Sequence, residues 1–174
     1  NASPSNPADS NRGITIAWFL AFHKQWALFD KLPLEKLETI DFNVFIGDPA
    51  NQYFGMTVAW FLACCGQSGL FGKLSLEKLE TIDFNASPGD PANINFGRTV
   101  ALLLAADKQW ALFDKLSSKK LETINFKAFP RDDSDMSLAH LLVAYNQWAL
   151  FDKLALLSGQ ALFNPFVDFS DDVL

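Results

Sequence analysis

Chemically versatile side chains are scarce in this chain. Its 174 residues include only two cysteines and two histidines. Cys64 and Cys65 are neighbours, a placement that strains any bond between them. No disulfide framework is therefore expected, and a reducing, intracellular setting is. Zinc spacings such as C-x₂-C with His or Cys partners are missing too, so the pair reads as small apolar residues near a helix end. Lysine and arginine are scattered and the net charge is −6. Nucleic acid and anionic lipid both call for a dense cationic surface, so neither is an expected partner. No apolar run approaches the ~20 residues that span a bilayer. The longest candidates, such as Ile14–Phe22, stop at His23-Lys24. Asn1–Asn11 is polar and Pro-containing, unlike a signal peptide. No phosphate loop, G-x-S-x-G or H-E-x-x-H occurs, and the expectation is a protein that is not an enzyme and holds no cofactor or metal.

What the chain does have is apolar bulk and repetition. Apolar residues make up 49% and aromatics 14%, with 17 Phe, enough for one domain with a sizeable core. Lys31–Asn43 reads KLPLEKLETIDFN and Lys73–Asn85 reads KLSLEKLETIDFN, 42 residues later with one difference. Gly13-x-Thr15, Gly55-x-Thr57 and Gly97-x-Thr99 keep that interval, as do Phe29, Phe71 and Phe113 with the Lys-Leu that follows each. The last copy comes four residues early, with Ser137 in the Thr place. NASPSNPADSNRG at the start matches Asn85–Gly97. The copies run approximately 1–43, 44–85, 86–125 and 126–164 in a single repeat domain covering 1–174, and 155–174 departs from the pattern as a candidate C-terminal cap.

Each copy divides into pieces with different physics. Thr15–Phe22 is short and mostly apolar, a buried helix with Thr15 as its N-cap. Lys24-Gln25 marks a turn, and Gln recurs there in every copy as Gln67, Gln109 and Gln147, a structural role in which its amide bonds backbone at a helix end. Gln25–Leu32 carries Trp26, Leu28, Phe29 and Leu32 at helical spacing. Leu34–Thr39 predicts a third short helix with Leu34 and Leu37 inward, Pro33 in its first turn and Ser75 as N-cap of the second copy. Ile40–Asn43 has an extended look, and a Pro/Asp/Asn/Gly loop leads on. One such unit cannot bury its own apolar stripe, but stacked neighbours can.

The end-of-unit punctuation resembles a known family. Ile-Asp-Phe-Asn-Ala (82–86), a loop, and Asn-Phe-Gly-Arg-Thr (95–99) are similar to the Ala-Asp-Val-Asn-Ala and Asp-Gly-x-Thr segments of ankyrin repeats, across all four copies and most weakly in the fourth. The resemblance implies an all-α protein: an α-solenoid of about four ankyrin-like helical repeats with long finger loops. The usual unit has roughly 33 residues. The extra length falls around the second helix and in the loop. Thr-Pro-Leu-His becomes Thr15-Ile-Ala-Trp18, Thr57-Val-Ala-Trp60 and Thr99-Val-Ala-Leu102, so the bonding of the Pro and His is not carried over. Long-loop arrays of this sort also resemble those of bacterial effectors delivered into host cells.

Candidate sites divide on the same pattern. His23 and His140 occupy non-equivalent places in the first and fourth copies, too far apart in a stack for hydrogen-bond contact, which argues against a catalytic pair. Asp90-Pro-Ala-Asn93-Ile-Asn95 is rich in oxygen, yet it lacks the EF-hand order and suits a turn. The framework scarcely changes between copies, while Phe22-His23, Cys64-Cys65, Ala106-Asp107 and Ala144-Tyr145 differ completely at one place. The residues flanking the Gly differ as well: Asn11, Arg12 and Ile14, then Tyr53, Phe54 and Met56, then Asn95, Phe96 and Arg98. Ankyrin-like arrays bind partners through finger loops and the exposed end of the first helix, so the resemblance implies a protein-binding scaffold whose concave face includes Phe22, His23, Tyr53, Phe54, Met56, Phe96, Arg98 and Tyr145. Recognition and drift at exposed positions both produce this variation. The alternative is a structural or self-assembling repeat element, natural or engineered, associating end to end with no dedicated ligand.

Overall fold

The computed structural model describes residues 15–45, 51–126 and 136–157. Helix is the only extended regular structure among them, and no strand occurs there. The loop at 46–50 (with it most of the recurring Asp48-Pro-Ala-Asn51), the residues Asn11, Arg12 and Ile14, and the candidate cap from 158 onward lie outside the described residues.

Three helices follow one another in each of the first three units: α1 (Ile16–Phe22), α2 (Trp26–Asp30) and α3 (Leu34–Leu37); α4 (Val58–Cys64), α5 (Gly69–Lys73) and α6 (Leu76–Thr81); α7 (Val100–Ala106), α8 (Trp110–Lys115) and α9 (Ser118–Glu122). The fourth has α10 (Leu138–Ala144) and a longer α11 (Trp148–Leu157). Among the described residues none reaches the ~12–15 residues at which an isolated helix becomes even marginally stable. Packing between units has to supply the rest. Helix α1 lies against α4, α4 against α7, and α7 against α10.

Local chemistry fixes where each helix starts and stops. The hydroxyls of Thr15, Thr57, Thr99 and Ser137 accept from the amides three residues on, at 3.1, 3.0, 3.2 and 3.3 Å. The first helix of every unit ends in a Schellman turn: Gln25 N–H reaches Leu20 O at 2.9 Å and Lys24 N–H reaches Ala21 O at 3.1 Å. That turn needs a left-handed residue, and Lys24, Gly66, Lys108 and Asn146 hold φ of 55, 70, 59 and 58°. The Gln after it donates its side-chain amide to the carbonyl two residues back, at 3.1 Å for Gln25 to His23 and 3.2 Å for Gln147 to Tyr145. Ser75 and Ser117 cap α6 and α9 by accepting from Lys78 and Lys120. Pro33 stands one place earlier than expected, at the N-cap of α3, where it has no side chain to cap with.

Four sets of bonds recur between successive units. Trp18 Nε1–H donates to Met56 O at 2.8 Å, and Trp60 Nε1–H to Arg98 O at 2.7 Å. Asn43 donates to Thr81 O and accepts from Asp83 N–H, both at 2.7 Å, and Asn85 does the same to Thr123 and Asn125. The Glu38 carboxylate accepts from Ser75 N–H and Oγ–H, and Glu80 from Ser117. Finally, Phe42 O, Phe84 O and Phe126 O accept from Ala59, Ala101 and Ala139 at 3.0, 2.9 and 3.0 Å. Each of these three rings lies beside the next unit's Phe71, Phe113 or Phe151, with centroids 6.4–6.5 Å apart. The Ile-Asp-Phe-Asn segment thus works as a plug and forms no strand.

Gly55 shows why the unit needs its glycine. Its φ is +78°, and a Cβ there would stand 2.7 Å from Gly89 N. The same crossing brings Gly89 N–H to Phe54 O at 2.8 Å, so successive loops touch.

Three inward assignments need correction. Leu34 and its equivalent Leu76 are exposed, because a one-turn helix turns only Leu37 or Leu79 toward the core. Phe19 is exposed on the far side of α1 from Trp18 and Ala21, not part of the buried stripe. Leu28 is exposed where no preceding unit covers it among the described residues, whereas Leu70, Leu112 and Leu150 at the same place are buried.

Candidate interaction surface

The variable pairs all fall at one point of the unit. Phe22, Cys64, Ala106 and Ala144 are the last residues of α1, α4, α7 and α10, and His23, Cys65, Asp107 and Tyr145 are the C-caps. The helix end has its polar backbone satisfied by the Schellman turn and the Gln amide. These side chains are therefore free of capping duty, and most of the eight residues are exposed.

Aromatic rings gather where the first loop meets α1 and α4. Phe22 stacks on Trp18 at 5.1 Å with 11° between planes, and meets Tyr53 edge-on at 4.6 Å. Phe61 approaches both Trp18 and Phe22 from the next unit, at 5.4 and 5.8 Å. Trp18 and Phe61 are buried, Phe22 and Tyr53 half-buried, so one edge of the cluster faces solvent. His23 flanks that edge, 4.2 Å from the exposed Phe19 ring and 5.0 Å from Phe22. Clustered half-exposed aromatics are the usual composition of an interface anchor.

Tyr145 forms a second exposed aromatic position, 37% accessible, with the Lys108 ammonium 4.8 Å over its ring and Trp110 at 5.8 Å. The sequence pointed to Tyr145. It did not point to Lys108, Trp110 or Phe19, which reach the surface from another unit or from the far side of the helix. Phe54 and Phe96 are half-buried at the loops. The Phe54 ring lies so close to Gly89 that any Cβ there would strike it. Arg98 is half-buried, and Asn95 Oδ1 accepts from its Nη1–H at 3.4 Å.

Met56 is corrected. Placed among the surface residues by its position beside the Gly, it is 5% exposed and lies in the core, with its carbonyl held by Trp18. The residue before the Thr cap is drawn under the loop, so its side chain has no access to a partner.

The oxygen-rich loop is satisfied by its own backbone: Asp90 Oδ1 accepts from Ala92 N–H at 2.8 Å, and Asn93 Oδ1 from Asn95 N–H at 2.9 Å. Among the described residues no group of three or more metal-ligating side chains converges. Burial first, then the adjacent Cys65, pushes the Cys64 thiol up, while Arg98 and Lys24 pull it down more weakly. Burial likewise raises Cys65. Raised thiols stay protonated and poorly nucleophilic at neutral pH. No helix among the described residues is long and apolar enough to cross a membrane.

Compared with protein-family models, curated proteins and solved structures, the chain shows no match.

Proposed function

We propose that the chain is an ankyrin-like α-solenoid serving as a scaffold that binds a protein partner. One observation carries the reading. The helix-end pairs that change between units are mostly exposed, while most of the bonds between units come from residues that repeat, the Ser68 hydroxyl bond to Asp107 being an exception. A scaffold that keeps its stack and varies its recognition surface has this division. The proposed contact surface is the edge formed by Phe22, His23 and Tyr53, with Arg98 and Tyr145 further along the stack and Phe54 and Phe96 in the loops.

The test is affinity capture by the full chain against a His23→Ala/Tyr145→Ala double variant, with quantitative mass spectrometry. Both side chains are exposed, so the variant keeps its circular dichroism. A defined set of proteins lost by the variant supports the reading. Identical capture by the two chains sinks it.

A second reading, a structural element associating end to end, is favoured by the uncovered apolar face of the first unit, where Ile16 and Leu28 are exposed. It requires a mass that grows with concentration in light scattering.

A further inference from the structure

The outer face of the first unit is a groove of about 560 Å³ lined by Ile16, Ala17, Leu20, Phe29, Leu32, Lys36, Thr39 and Ile40. Position for position, its apolar lining is the surface by which each later unit docks on its predecessor. Ile16 is 69% exposed, whereas Val58, Val100 and Leu138 at the same place are 0, 0 and 2% exposed. Leu20 and Leu32 are half-buried, but their counterparts from Leu62 to Leu154 are fully covered.

What covers the counterparts is the same each time. A phenylalanine from the preceding unit enters beside Phe71, Phe113 or Phe151 and gives its carbonyl to the alanine amide in the first turn of the next helix. A lysine lies over that ring in two of the three cases: Lys78 over Phe42 and Lys120 over Phe84, each 5.6 Å from the centroid. Burial there pushes the Lys120 ammonium below its ordinary value. In the first unit Phe29, Lys36 and Ala17 occupy these three places. Among the described residues no ring lies beneath Lys36, and no carbonyl accepts from Ala17 N–H.

We propose that this groove is a docking site for one more unit of the same repeat, entered by the phenylalanine of an Ile-Asp-Phe-Asn segment. The site is continuous with three interfaces of the same construction. Its exposed Ile16, half-buried Leu20 and Leu32, Lys36 and the Ala17 amide match that one occupant, with the already covered Phe29 as the floor of the groove. It lies on a different face from the surface proposed for a protein partner, so either can fail without the other.

The test joins a copy of residues 43–84 ahead of Asn1 of the full chain. Asn1–Gly13 matches Asn85–Gly97, so the join keeps Phe followed by Asn. Hydrogen exchange of the Ala17 and Leu20 amides is read by NMR, beside the unfolding midpoint and the mass. The expected result is a higher midpoint and exchange slowed by at least about tenfold at both amides. Phe84→Ala in the appended copy alone should lose most of that protection. Unchanged exchange on joining overturns the proposal. Equal protection by the Phe84→Ala copy overturns the phenylalanine seat. An unjoined chain that is already dimeric, with both amides protected, assigns the groove to a second copy and overturns it as well.

Discussion

The first and second units differ at one residue across Lys31–Asn43 and Lys73–Asn85, yet their apolar faces meet different fates. Leu70 is 4% exposed and Leu28, at the same place one unit earlier, is 46% exposed. Trp-Ala-Leu-Phe-Asp surrounds Leu28, Leu112 and Leu150 alike, and Leu112 and Leu150 are 3 and 5% exposed, so the difference follows the neighbour. In this molecule burial belongs to a pair of units, and each helix is too short to persist without it.

The strongest way to break that comparison is a matched pair of truncations. Leu70→Ala should cost about 2–5 kcal/mol in urea unfolding, as a fully packed leucine does. Leu28→Ala should cost under ~1 kcal/mol, because little is lost where solvent already reaches. Equal losses would mean that the first unit's face is covered in solution. Next in size is Trp60→Phe. It removes the indole hydrogen bond to Arg98 O at a part-buried junction, at about 1.5 kcal/mol. The third unit carries Leu102 at this place, so Leu102→Trp is the reverse experiment, and it has no such bond to lose. Ser75→Ala comes third, at about 1 kcal/mol for a lost cap. It also removes the Ser75 Oγ–H bond to Glu38 while the backbone N–H bond stays, so a double-mutant cycle with Glu38→Gln should show coupling. The smallest effect is a gain. Lys24→Gly relieves a left-handed lysine and should add about 0.5–1 kcal/mol, seen as a higher urea midpoint with an unchanged slope.

Much of the unit was legible in the sequence because its signals are local. A threonine before an apolar run, a glutamine after a turn and a serine before Leu-Glu-Lys act within a few residues, and each does in the structure what its chemistry suggests. The bonds between units were not legible. Trp18 reaches a carbonyl 38 residues away, and nothing in an apolar stripe distinguishes an indole that only fills space from one that also donates. Asn43 and Glu38 read as loop and surface residues until the next unit stands beside them. Met56 was misplaced for a related reason: it follows the half-buried loop residues Tyr53, Phe54 and Gly55 in the chain, while its neighbours in space are Trp18 and the loop. The variable pairs stood out because comparing copies needs no knowledge of contacts, and they fall at the ends of the first helices. The partner itself is written in neither, for recognition depends on the shape of a second molecule.

The most direct test of the stack is native-state hydrogen exchange of the full chain, comparing amides in α1, α4 and α7. Units held by their neighbours predict the highest protection for Leu62 and Leu104, enclosed on both sides, and clearly lower protection for Leu20, which among the described residues has a neighbouring unit on one side alone. Equal protection of all three amides would contradict that account and make each unit stable by itself.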